Sequence, residues 1–147
     1  PCHRLSFPWR FTSAGKPQRD ILADLLVSIK SGEKLFDDKK IKEIKSKITN
    51  SSHLIVASQV IDVDPLHKLE DYAACACAIQ NLSLSLVADD VGCKWSTGKI
   101  IKDPNTYQIA EIDPSQEEII GFIWIGYGDE QKSIKRPLLS EIYRERD

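Results

Sequence analysis

Two short stretches of this chain carry the side chains most suited to holding a ligand. The first, PCHRLSFPWRF, sets His3 and Arg4 close to Phe7-Pro8-Trp9, cationic or titratable groups beside a rigid aromatic corner. The second, CKWSTGKI, offers an indole at Trp95, hydroxyls at Ser96 and Thr97, and backbone donors around Gly98. Neither is a catalytic machine. No G-x-S-x-G nucleophile elbow is present, and neither a G-x-G-x-x-G dinucleotide fingerprint nor a G-x-x-x-x-G-K-[ST] phosphate loop occurs. The adjacent acids Asp89-Asp90 and Glu117-Glu118 read as solvated surface. If the chain is an enzyme, a bound cofactor supplies the reactivity and no side chain is expected to be catalytic.

Cysteine use excludes other chemistries. Cys75 and Cys77 form a C-x-C pair in an alanine-rich stretch, which is neither a C-x-x-C redox pair nor a zinc knuckle. His3, His53 and His67 are scattered, so no metal site is expected. Small buried thiols in a reducing cytosol are the simpler expectation. The chain's 147 residues, 41% hydrophobic and 29% charged, with a net charge of −2, make one soluble domain that buries a core. That charge argues against a nucleic-acid partner. The longest mainly apolar run, 119–125, is too short to span a bilayer, so no membrane partner is expected either.

The elements that must position these groups follow from periodicity. Residues 9–13 read as a short extended segment. A helix starts at Pro17 and runs to about Lys30, with Ile21, Leu22, Leu25, Leu26 and Ile29 on one face. A second, 38–48, presents Ile41, Ile44 and Ile48, and the lysines on its other faces read as solvated, with an adaptor role for acidic partners as the alternative. HLIVASQVI, 53–61, is a buried strand, followed by a polar connection. A long helix over 69–92 ends on Gly92. Its run Ala73–Ala78 is small on every face, which lets other backbones approach closely. CKWSTGKI reads as a loop, Pro104 opens a short helix, and residues 117–128 form a strand before a charged tail. Trp9 and Trp124 read as core, and Gln80 and Asn81 as structural hydrogen-bonders. The order is α+β.

Three segments in register, PCHRLSFPWRF, EDYAACACAIQNLSLSLVADDVGCKWSTG and EEIIGFIWIGYG…KRP, resemble the FMN-dependent nitroreductase family, especially its small single-domain bacterial members. These have an A-P-x-H…P-W-x-F turn and a W-x-[ST]-G loop. The resemblance implies a mixed, mainly antiparallel sheet flanked by helices, a cytoplasmic homodimer with FMN at each end of the subunit interface, and NAD(P)H as reductant. Electrons would pass to nitroaromatics, quinones or related small-molecule acceptors. It also implies that His3 and the neighbouring Arg4 lie against the FMN ribityl-phosphate. Trp95, Ser96 and Thr97 would approach the flavin ring, and Lys135 and Arg136 would reach the phosphate, which guanidinium binds as a fork. Family members begin with a helix carrying an Arg-Arg-Ser-type motif. Here the sequence starts inside the A-P-x-H motif, so residues 1–147 are expected to be a domain truncated at its N-terminus, with weakened FMN binding. The rival expectation is a non-catalytic remnant of the fold that serves as a binding or interaction domain.

Overall fold

The computed structural model describes residues 2, 4–32, 34–128 and 134–146. Four strands, β1 (Trp9–Ala14), β2 (His53–Val60), β3 (Gly92–Ser96) and β4 (Glu117–Gly126), make one sheet in the order β1-β2-β4-β3. Every ladder among them is antiparallel. Helices α1 (Lys16–Ser31), α2 (Asp38–Thr49) and α4 (Pro104–Ala110), with a 3-10 turn at Lys99–Lys102, lie on one face, and α3 (Pro65–Ala88) covers the other. A one-turn helix α5 (Leu139–Ile142) lies in the exposed tail. The architecture is α+β.

Local chemistry explains the boundaries. Asp37 caps α2 by accepting from the Lys40 N–H at 2.7 Å, and Asp103 caps α4 by accepting from the Asn105 N–H at 2.9 Å. Helix α3 starts four residues earlier than its apolar periodicity indicates. Asp64 accepts from the N–H groups of Leu66 and His67, and Pro65 occupies the first turn, where its missing N–H costs nothing. The polar connection in the sequence is therefore the helix start. At the other end α3 stops at Asp89, and Asp90 takes the left-handed conformation at φ 58°. Gly92 is not the cap. It opens β3 opposite Gly126, where a Cβ would stand 2.8 Å from the Gly126 carbonyl oxygen.

The largest difference from expectation is β3 itself. The run 93–100 reads as a loop, with Gly92 as the cap of the helix before it, because a short run holding glycine, lysine and serine carries little strand signal of its own. What makes residues 92–96 a strand is β4, whose open edge supplies the ladder.

Alternation on β4 sorts the core. Ile119, Phe122 and Trp124 pack with Leu22, Ile48, Leu54 and Val56 beneath α1 and α2, while Ile120, Ile123 and Ile125 pack with Ala57, Cys75 and Ile79 beneath α3. Strict period two would put Ile120 with Phe122. A bulge prevents this: Ala57 pairs with Gly121 and Ser58 with Ile119, leaving Ile120 as the extra residue. Its carbonyl, turned out of the β2 ladder, accepts the Trp95 indole N–H at 3.3 Å. The indole lies on Gly121, whose φ is 159°, and a Cβ built there would stand 2.1 Å from Trp95 Nε1 and 2.9 Å from the Ser96 carbonyl oxygen.

Helix α3 divides its apolar side chains between a buried and an exposed face. Cys75 and Ile79 are buried on the sheet, and Leu82 and Leu86 pack against that cluster. Leu69 and Tyr72 point outward. No helix among the described residues is long and apolar enough to cross a membrane.

Gly121→Ala combines a clash against ring and backbone with an unfavourable φ, so it should destabilise the domain by about 3 kcal/mol. Urea unfolding of the two proteins measures the difference, and a change below roughly 1 kcal/mol would mean that Trp95 swings aside freely.

Candidate functional site

Ser96 and Thr97 border a cleft of about 870 Å³ between the sheet edge and the C-terminal ends of α1 and α2. Its origin lies in β3. On the α1/α2 face that strand presents Lys94 and Ser96 rather than apolar side chains, so the helices close over β1, β2 and β4 and leave the edge open. Phe122 and Trp124 form the floor, and Ile29 and Ile100 contribute apolar walls. Gly98 completes the rim at φ 153°, a conformation suited to glycine. No atom lies within 4 Å of where its Cβ would be, so a side chain there would project into open space.

The cleft is electropositive. Lys30, Lys47, Lys94 and Lys99 line it, and among the described residues no carboxylate does. Lys30 and Lys47 sit in the last turns of α1 and α2, where they also complement the partial negative charge of the helix ends. Lys47 has a longer contact with Glu43, 3.5 Å away on the same helix. Across the floor the Trp124 indole N–H donates to Ser96 Oγ at 2.6 Å. A second cleft of about 680 Å³ shares Ser51, Lys94 and Trp124 with the first and runs along Tyr127 and Gly128, where β4 ends. Lys135 and Arg136 lie further along the chain, in exposed coil at 134–138.

The other candidate residues are elsewhere. Arg4 belongs to the N-terminal turn, which packs on α3: its Nε donates to Glu70 Oε2 at 2.8 Å, and Ser6 Oγ donates to Asp71 Oδ1 at 2.7 Å. The turn holds Leu5 and Phe7 at positive φ, with the Phe7 N–H directed to Cys2 Sγ and the Phe7 ring edge-on to Trp9 at 5.8 Å. Pro8 is fully buried at this corner. His3 lies outside the described residues. Trp95 faces the same side as the turn, 6.2 Å from the Tyr72 ring. So β3 sends Trp95 to the α3 face and Ser96 to the cleft. The residues grouped in the sequence fall on two sides of the sheet, with Arg4 and Trp95 on one and Ser96 and Thr97 on the other.

Four lysines and Trp124 were not singled out as cleft residues by the sequence. Lys47 looked like one more charge on a solvated helix, and Trp124 like core. Lys94 was detectable in principle, since alternation with Cys93 and Trp95 would point it away from the core, but only once residues 92–96 are recognised as a strand. Among the described residues no three His, Cys, Asp or Glu side chains converge on a possible metal position.

The arrangement and fold define a nitroreductase-like α+β protein, and the likeness read from its three motifs extends over nearly the whole chain. It is 25% identical over 138 residues to the Bacillus subtilis (strain 168) protein YfhC, which is named as an NAD(P)H nitroreductase, covering 92% of this chain and 71% of that one. Among solved structures, a nitroreductase-like family protein from Bacillus cereus superposes with a TM-score of 0.79 at 23% identity, over 98% of this chain and 76% of its own. A Desulfovibrio desulfuricans protein described as a nitroreductase, solved in complex with FMN, gives 0.72 at 22% identity, over 100% and 77%. No family model matches the sequence.

One buried group beneath the turn has a measurable pH signature. Cys75 is fully buried, and desolvation, with Asp71 one helical turn away, pushes its thiol up to about 12. A thiol whose folded pKa is raised keeps its proton where the unfolded chain has lost its own. Its contribution is complete below the unfolded value, 9.0, and is lost as pH rises from there toward 12. Unfolding midpoints of wild type and Cys75→Ala should therefore converge as pH rises above 9.0. Parallel pH profiles would show that Cys75 is not protected from ionisation.

Proposed function

We propose that this chain is a flavin-dependent oxidoreductase of the nitroreductase type, with the flavin ring in the cleft bordered by Ser96, Thr97 and Gly98. The observation that carries this reading is the cleft's make-up: an apolar floor, a glycine-opened rim and polar groups dominated by donors, in a chain with the nitroreductase fold. The residues fit the group. A flavin ring needs apolar contact on its faces and hydrogen-bond donors at its carbonyl oxygens and ring nitrogens. Ser96, Thr97 and the lysines supply donors, and Ile29, Ile100 and Trp124 supply apolar surface.

When bound, FMN would accept a hydride from NAD(P)H and pass the electrons to nitroaromatic, quinone or related acceptors. The protein's own part is to bind and orient. The lysines favour electron-rich and anionic ligands by Coulomb attraction in a partly dry cleft. The second cleft leads toward the end of β4, and Arg136 and Lys135 follow in the chain as cations for a phosphate. His3 remains a proposed phosphate neighbour. Arg4 could join it through its terminal nitrogens while its Nε stays on Glu70, and Trp95 acts on the rim from behind.

A homodimer accounts for one further feature. Leu66, Leu69, Ala73, Leu84 and Val87 recur at intervals suited to one outward stripe of α3, and the four larger ones are 59–65% exposed. A second copy docked there would cover them.

Two measurements test these readings. Flavin titration should show Arg136→Ala weakening FMN about tenfold or more while leaving riboflavin nearly unchanged, because only FMN offers the guanidinium a phosphate. Equal losses would assign Arg136 to folding, and a chain that binds neither flavin would be a non-catalytic member of the fold. Light scattering should give a dimer at micromolar concentration and a monomer for Ala73→Glu, which buries an unpaired charge in the stripe. A monomeric wild type would remove the dimer. Ala74 is unsuited to this test because it is buried against the protein's own core.

A further inference from the structure

Resting on the reading of the cleft as a ring site, we propose that Trp124 is a specificity-determining positioning residue, which makes Ser96 a hydrogen-bond donor to the ring's acceptor atoms. An indole N–H can only donate, whereas a serine hydroxyl can both donate and accept. Trp124 Nε1 approaches Ser96 Oγ at 2.6 Å, so that contact requires the serine oxygen to accept. Ser96 is then left with its O–H to offer. Among the described residues Ser96 Oγ makes no hydrogen bond besides the one from Trp124, and Ser96 borders the cleft. Its proton is available to a ligand.

The surroundings reinforce that polarity. Lys47, Lys94 and Lys99 are donors without acceptor capacity, and among the described residues no carboxylate lines the cleft to receive a ligand's N–H or O–H. Position 96 thus selects planar aromatic ligands that carry carbonyl or ring-nitrogen acceptors. An equally large and equally charged ring lacking those atoms fills the same space but covers the half-buried Ser96 hydroxyl without pairing it, which is the costly case. Trp124 also contributes its ring to the floor, so Trp124→Phe retains aromatic contact while deleting the N–H.

The probes are anthraquinone-2-sulfonate and anthracene-2-sulfonate, two tricycles of like shape and charge that differ in their carbonyl oxygens. Isothermal titration with the 147-residue chain should give a preference for the quinone of roughly tenfold. Ser96→Ala and Trp124→Phe should each lower that ratio by about fivefold, and the double variant should lower it no further, because both changes remove one coupled donor. An unchanged ratio in Ser96→Ala, losses that multiply in the double variant, or a wild type that binds neither tricycle would overturn the proposal. If Trp124→Phe does not fold, the coupling is read from the Trp124 indole N–H resonance, which must move upfield in Ser96→Ala; an unmoved resonance overturns it equally. Riboflavin titrated alongside keeps the two readings apart. Riboflavin binding without tricycle selectivity removes the role of Trp124 alone, and selectivity without riboflavin binding removes the flavin while leaving that role in place.

Discussion

The contact between Trp95 and the β4 bulge is the constraint on which the arrangement of this domain depends. Strand β3 is five residues long and contains little that would make it a strand alone. Its ladder with β4 is supplemented by one large side chain, whose indole lies on Gly121 and donates to the carbonyl that the bulge has freed. Three local irregularities, an extra residue at Ile120, a glycine at positive φ and a tryptophan on an edge strand, thus satisfy one another. The bulge and the glycine alone would weaken a sheet. Together they fix where β3 ends and hence where Ser96, Thr97 and Gly98 begin.

The consequence is a division of labour across the sheet. Alternation along β3 sends Cys93 and Trp95 under α3 and Lys94 and Ser96 to the other side, where the helices do not close. One face is packing and the other a cleft, from a strand shorter than two helical turns of sequence. The N-terminal turn joins the packed face through Ser6 to Asp71 and Arg4 to Glu70. Its strained residues, Leu5 and Phe7, are held by that docking and by the buried Pro8.

Electrostatics then distinguishes the two faces. Acidic side chains of α3 meet the basic and hydroxyl groups of the turn and are consumed there. On the cleft side lysines from α1, α2 and β3 converge with no lining carboxylate among the described residues, although the whole chain carries a net charge of −2. Local sign, rather than net charge, governs what such a cleft attracts.

The sequence by itself determined the α+β class, the bodies of α1, α2, α3 and α4, and strands β2 and β4, because burial of Leu22, Ile44, Ile48, Leu54 and Ile123 imposes periods that can be read without coordinates. Its three motifs also carried the likeness to nitroreductases. Even the start of α3 was written in Asp64-Pro65, a capping signal that lies outside the helix's apolar periodicity. Only the tertiary structure decided that residues 92–96 pair with β4, since β3 takes its conformation from a partner about thirty residues away in the chain. For the same reason only the fold separates Trp95 from Ser96 and brings Lys30, Lys47, Lys94 and Trp124 to one cleft. These residues share no local pattern, and side chains distant in sequence become neighbours only when strands choose their partners.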